Sequence, residues 1–186
     1  MSEEKFGFSL TDEEKNYLKV LVFSSIRQNL FPEENVLLPE PPTEKLKERL
    51  GAFVTLKVGG RLRGCIGHLV GDRPLNETVS RMAKSAAFED PRFPPLSRGE
   101  YDKVGVEISI LSPIEKCPDP EKVEVGRHGL VIRKGRHQGL LLPQVPVEWG
   151  WDRVNFLRHT AMKAGLPAEA WKDPDTEIMW FEAEVF

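Results

Sequence analysis

Cysteine is scarce in this chain of 186 residues, which has only Cys65 and Cys117 and no Cys-x-x-Cys pair. That excludes a disulfide framework and a zinc knuckle; a reducing compartment leaves both as thiols, with a Cys65–Cys117 bridge the lesser alternative. Long apolar runs are missing too, and none approaches the roughly 20 residues needed to cross a bilayer. The opening residues, Met1–Gly7, are acidic and polar rather than signal-like, so a cytoplasmic location is expected. Positive charge is not in excess: 26 Lys and Arg face 29 Asp and Glu, for a net charge of −3. A general nucleic-acid binder needs clustered cations to displace counterions from phosphates, so that class is disfavoured. There is no phosphate-loop pattern, no dinucleotide fingerprint and no internal repeat. Glutamine occurs three times and asparagine five against fifteen prolines. With the high charged fraction, this leans toward a heat-adapted protein.

What is present builds an ordinary core. Hydrophobic residues make up 40% and charged residues 30% of the chain, so one folding unit, or one core with a smaller lobe, is expected. Thr11-Asp12-Glu13-Glu14 is a capping box, and Leu18, Leu21, Val22, Ile26 and Leu30 follow at helical spacing until Pro32. Thr43 is expected to cap a short helix that stops at Gly51. The segments 52–58 and 61–69 read as a hairpin about Gly59-Gly60, whose positive φ angles suit a two-residue turn. Its simplest register sets Leu56 opposite Arg63 and Val54 opposite Cys65, unless Gly64 carries a bulge. A helix with the stripe Leu75, Val79, Met82, Ala83 and Ala86 must end before Asp90-Pro91. Ser97-Arg98-Gly99-Glu100 could cap a single turn.

Val104, Val106, Ile108 and Ile110 alternate as a half-buried strand, and short β segments are expected at 123–125, 130–133 and 139–142. Asp152 caps a helix that Gly165 stops, and 177–186 alternates as a closing strand. Strands and helices mix without regular βαβ alternation, so the fold class is α+β, a mixed sheet packed with helices.

The segment Arg63-Gly64-Cys65-Ile66-Gly67 is the leading site candidate, because glycines beside a strand cysteine allow close approach of backbone or ligand. With it stand Asp90-Pro91-Arg92-Phe93-Pro94-Pro95-Leu96, Gly126-Arg127-His128-Gly129-Leu130, Leu141-Leu142-Pro143-Gln144-Val145 and Glu148-Trp149-Gly150-Trp151-Asp152. In these ordered motifs the chain resembles the AMMECR family from about Phe8 to Phe186. The resemblance implies one main lobe and a smaller lobe with a cleft between them, and the cysteine motif in or near that cleft. It brings no established reaction and no cofactor. It does imply partners: microbial relatives are linked with MEMO-type and radical S-adenosylmethionine proteins, which suggests a shared modification system. Where many microbial relatives have a second cysteine, this chain has Ala161.

Two functional readings follow. In the first, Cys65 is a thiolate nucleophile or ligand contact, favoured by the Arg63 cation, with His128 as candidate base and Glu107 or Asp90 orienting it. Gly64, Gly67, Arg92 and Arg127 would complete the ligand-binding set. The plainer reading of Cys65 is a small hydrophobe packed in the hairpin. In the second, the chain is a non-catalytic module docking to a partner through the Pro-rich loop, with Phe93 as anchor; alternatively Phe93 folds inward and Asp90 pairs with Arg92. Cys65 and His68 share half-zinc-site spacing, but three steps along a strand put them on opposite faces, so no metal is expected. Arg61, Arg63, Arg127, His128, Arg133, Lys134, Arg136 and His137 could cradle an anion, or sit as solvated strand edges. The four tryptophans read as packing residues rather than a stacking platform.

Overall fold

The computed structural model describes residues 8–186; the acidic start 1–7 lies outside the described residues. The chain divides into two compact units, Phe8–Leu111 with Glu184–Phe186, and Ser112–Ala183.

The first unit opens with α1 (Asp12–Leu30), started by the expected capping box. Glu14 is buried, yet charge-compatible: it accepts from the Thr11 backbone N–H at 2.9 Å and from the Thr43 hydroxyl at 2.5 Å. Thr43 thus spends its hydroxyl on Glu14, and the segment it precedes is a short 3-10 turn, Glu44–Lys47, without a side-chain cap. Strands β1 (Gly51–Val58) and β2 (Arg61–His68) form the hairpin, with Gly59 and Gly60 both at positive φ. Helix α2 (Leu75–Phe88), the one-turn α3 (Arg98–Tyr101) with its own capping box, and β3 (Val104–Leu111) complete the unit. The strand order is β2-β1-β3, all antiparallel, which leaves β2 at the edge.

The hairpin register differs from the simplest count. Val58 does face Arg61, but a bulge shifts the pairing between Lys57 and Leu56, so Leu56 faces Gly64, Thr55 faces Cys65 and Val54 faces Ile66. Arg63 is the extra residue. Interior strand glycine weakens the ladder and tolerates such a kink. Ala52, Val54, Leu56, Ile108 and Ile110 face the core with α1 and α2, where Leu18, Val22, Ile26 and Val79 are fully buried. By the two-residue period, Phe53, Thr55, Cys65, Gly67 and Glu107 share the opposite face.

The second unit holds β4 (Glu115–Lys116), β5 (His128–Lys134), β6 (His137–Leu141), α4 (Gln144–Glu148), α5 (Arg153–Lys163) and β7 (Glu177–Val185). The antiparallel order is β6-β5-β7-β4, and the last residues of β7 belong to the first unit. Leu130, Ile132, Phe156, Leu157, Ala161 and Ile178 form its core. Asp152 caps α5 as expected, accepting from the Asn155 N–H at 2.8 Å. The expected segment 123–125 is not a strand. A 3-10 turn, Pro120–Lys122, ends at Val123, and a turn closed by the His128 N–H on the Glu124 carbonyl at 3.0 Å follows.

Candidate functional site

The edge position of β2 creates the site. An edge strand presents unpaired N–H and C=O groups that must be satisfied or covered. At Cys65 both are taken by two side chains of the Asp90-Pro91-Arg92 turn. Asp90 Oδ2 accepts the Cys65 N–H at 2.9 Å, and Arg92 Nη2 donates to the Cys65 carbonyl at 3.2 Å. Arg92 also donates through Nε and Nη2 to Asp90, at 2.9 and 2.7 Å, and its backbone N–H reaches Asp90 Oδ1 at 3.1 Å. The Asp90–Arg92 pair is therefore a bidentate clamp that stands in for a neighbouring strand at one residue. Asp90 is buried, and four hydrogen bonds led by those from Arg92 hold its carboxyl far below the usual carboxylate range.

The sulfur has its own partner. The Thr55 hydroxyl, directly across the hairpin, donates to Cys65 Sγ at 3.1 Å. Burial pushes the Cys65 thiol up, with Asp90 and Glu107 adding to the rise while Thr55 and Arg92 oppose it. The side chain remains partly accessible. At neutral pH this is a protonated, positioned thiol. Cys117, buried in the second unit, is also raised by desolvation.

The flanking glycines are filled by protein. A Cβ on Gly64 would lie 2.0 Å from the Ala86 carbonyl oxygen of α2, and one on Gly67 would lie 2.2 Å from the Phe53 ring. Gly64 thus lets helix backbone settle on the strand. Arg63 turns away to Glu100, donating through Nε and Nη2 at 2.7 and 3.1 Å, and Glu100 is pulled to about 2 chiefly by this pair. The guanidinium that bears on the thiol is that of Arg92, because the bulge makes Arg63 an extra residue. Phe93 is half-buried, its ring 5.9 Å from the Arg63 guanidinium and 5.5 Å from that of Arg92. The Pro-rich loop is thus folded back, and Asp90 pairs with Arg92.

His128 and Arg127 belong to the second unit. The His128 ring is buried, stacks on Trp180 with centroids 4.3 Å apart, and its Nδ1 accepts the Glu124 N–H at 3.0 Å. That bond puts the ring proton on Nε2, so the lone pair a base needs is already used. Arg127 pairs with Glu124 and Glu182. Of the other basic residues in the middle of the chain, Arg133 pairs with Glu177 and Lys134 with Asp173. Ala161 lies fully buried in α5. Trp149 departs from the packing role expected of the tryptophans: it is 69% exposed. Thr55 was not identified as a site residue from sequence; the hairpin register is the signal that finds it.

A family model described as AMMECR1 matches residues 20–186. The chain is 46% identical to a protein from Methanopyrus kandleri, over 97% of this chain and 91% of that protein. It is 43% identical to one from Thermococcus onnurineus, over 96% of this chain and 92% of that protein. The crystal structure of an uncharacterized protein from Pyrococcus horikoshii matches with a TM-score of 0.86 and 42% identity, covering 96% of this chain and 93% of that one. Such relatives come from thermophiles, in keeping with the composition. Agreement of motif order, fold and identity along nearly the whole chain leaves one conclusion: it belongs to the AMMECR1 family.

Proposed function

We propose that this protein is the thiol-bearing, ligand-binding component of a modification system, with Cys65 kept protonated and positioned until a ligand or partner arrives. The observation that carries this reading is the Asp90–Arg92 clamp on the Cys65 peptide. As a stabiliser the pair counts for little, because Asp90 is buried while the Arg92 side chain is 47% exposed, so solvent screens their attraction. Its value here lies in fixing one peptide of an edge strand to within a hydrogen bond, as a site requires and simple packing does not. The same arrangement counts against a thiolate nucleophile that is already active at rest, since burial and two carboxylates work against ionisation.

Iodoacetamide alkylation of Cys65 against pH, read by mass spectrometry, tests this. The wild-type rate at pH 7.5 should be low and climb steeply only above pH 9, while Asp90→Asn, which removes a negative neighbour and releases Arg92, should raise the rate at neutral pH. A thiol already fast at pH 7, or one untouched at pH 10 in the folded protein, would each end the proposal.

A second reading, docking to a partner of MEMO or radical S-adenosylmethionine type, draws on the exposed Trp149 and Val147 of the second unit. Exposed apolar side chains grouped together mark interaction surfaces. Trp149→Ala should abolish copurification with such a partner, and unchanged copurification rejects that surface.

A further inference from the structure

Away from Cys65, at the far end of β2, His68, Arg73, Thr78, Arg81 and Met82 line a small hollow open to solvent. Three of the five lining side chains are basic. Thr78 and Arg81 are one turn apart on α2, and His68 reaches in from the strand. Among the described residues the carboxylate in contact with them is Asp72, which accepts from Arg73 through long bonds of 3.2 and 3.4 Å, and Glu77 lies one turn before Arg81 on α2. His68 Nε2 stands 3.1 Å from Asp72 Oδ1 but without hydrogen-bond geometry, and that buried nitrogen has no hydrogen-bond partner among the described residues. Arg81 forms no ion pair among the described residues.

We infer that this hollow is a binding site for a small tetrahedral oxyanion, a phosphate or the phosphoryl end of a larger molecule. A cation left unpaired, a guanidinium weakly held and an unsatisfied ring nitrogen converge on one space, and an oxyanion satisfies all three at once through charge-assisted hydrogen bonds. The Thr78 hydroxyl is engaged with the Pro74 carbonyl and Met82 closes one wall, so selectivity rests on the two guanidiniums and the imidazole. Arg49 steadies the loop by donating to the Asp72 carbonyl at 3.0 Å. The site is independent of the Cys65 reading, because it lies on other residues.

Isothermal titration of the full chain with inorganic phosphate, and separately with O-phosphoserine, at constant ionic strength tests the inference. Saturable phosphate binding is expected, weakened about tenfold or more by Arg81→Gln, as losing one charge-assisted contact implies. Arg81 is exposed, so the melting temperature of the variant without phosphate should stay at the wild-type value. Tighter binding of O-phosphoserine assigns the site to the end of a larger molecule, and tighter binding of the free ion assigns it to phosphate itself. Heats no larger than those of matched chloride, or unaltered binding in Arg81→Gln, overturn the proposal.

Discussion

Gly64→Ala puts the packing that positions Cys65 to a direct test. The added methyl would sit 2.0 Å from the Ala86 carbonyl oxygen, whereas ordinary contact begins at 3.4 Å. The obstructing atom is backbone inside a 14-residue helix, so no side chain can rotate away, and α2 and β2 must separate by more than ~1 Å. Overpacking of this kind costs about 1–3 kcal/mol, and the upper half applies where backbone must move. The lower unfolded-state entropy of alanine returns about 0.5–1 kcal/mol. A net loss of about 2 kcal/mol would lower the midpoint by roughly 4–8 °C in a chain of this length. Gly99→Ala is the control: among the described residues nothing lies within 4 Å of its Cβ, in the first turn of α3, so it should be neutral or slightly stabilising. Thermal and urea unfolding of the two variants should differ accordingly. Because β2 moves relative to the Asp90–Arg92 clamp, Cys65 in Gly64→Ala should also alkylate faster than in wild type. Equal midpoints for the two glycine variants would refute the close approach and everything built on it.

Acid should weaken the fold through its depressed carboxylates. Glu100 falls from 4.5 to about 2, and Glu14 and Asp90 are lowered as well, so their contributions are complete above the unfolded values and fade as pH drops through the folded ones. Glu100→Gln should therefore be less stable than wild type at pH 7, with the gap closing toward pH 2; a gap that stays constant in a urea series across pH contradicts the Arg63 pairing as its cause. Phe156→Ala empties the centre of the second core, where the ring is fully buried. A loss of about 3–5 kcal/mol in denaturant unfolding is expected, and one below about 1 kcal/mol would mean that the ring is not packed as described. A melting temperature above the roughly 45–65 °C range of mesophile domains is expected from the composition and the thermophile relatives.

Much of the scaffold was legible because local signals and tertiary demands agree. The capping boxes at Thr11 and Ser97, the stop before Asp90-Pro91, the Gly59-Gly60 turn and the Asp152 cap each depend on residues only a few positions apart, and each is found where it was read. The hairpin register was not legible, since one bulged residue reassigns every pairing beyond it, and the glycine in the strand only hints at its presence. The segment 123–125 failed because two valines are too few to outweigh Asp119-Pro120 and the turn at Gly126. At the site, Cys65 could be singled out, but its working neighbours could not. Thr55 comes from the register and Asp90 from a loop 25 residues on. The basic run around Arg133 left an anion cradle and solvated strand edges both open, because its neutralising carboxylates, Asp173 and Glu177, lie about 40 residues away in sequence.

The division of the β2-β1-β3 sheet into two unlike faces gives the proposed site its rationale. One face is hydrocarbon: Ala52, Val54, Leu56, Ile108 and Ile110 are fully buried with α1 and α2, and this is what holds the unit together. On the other, Cys65, Thr55 and Glu107 form a row across all three strands, with Ser109 next along β3 and Lys57 paired to Glu107 at 3.1 Å. Thr55 and Ser109 are nonetheless buried. A buried hydroxyl costs free energy unless hydrogen-bonded, and an apolar side chain of similar shape would serve stability as well or better. On the proposed reading, the row is kept polar because it must hold a sulfur in one orientation and tune its proton. The corresponding change is Thr55→Val, which keeps the shape and removes the donor to Sγ. It should leave stability within about 1 kcal/mol of wild type while raising the thiol pKa further, since the hydroxyl favours the ionised sulfur. An alkylation profile that moves to higher pH without loss of fold supports a tuned site, and a profile that does not move reduces Thr55 to packing.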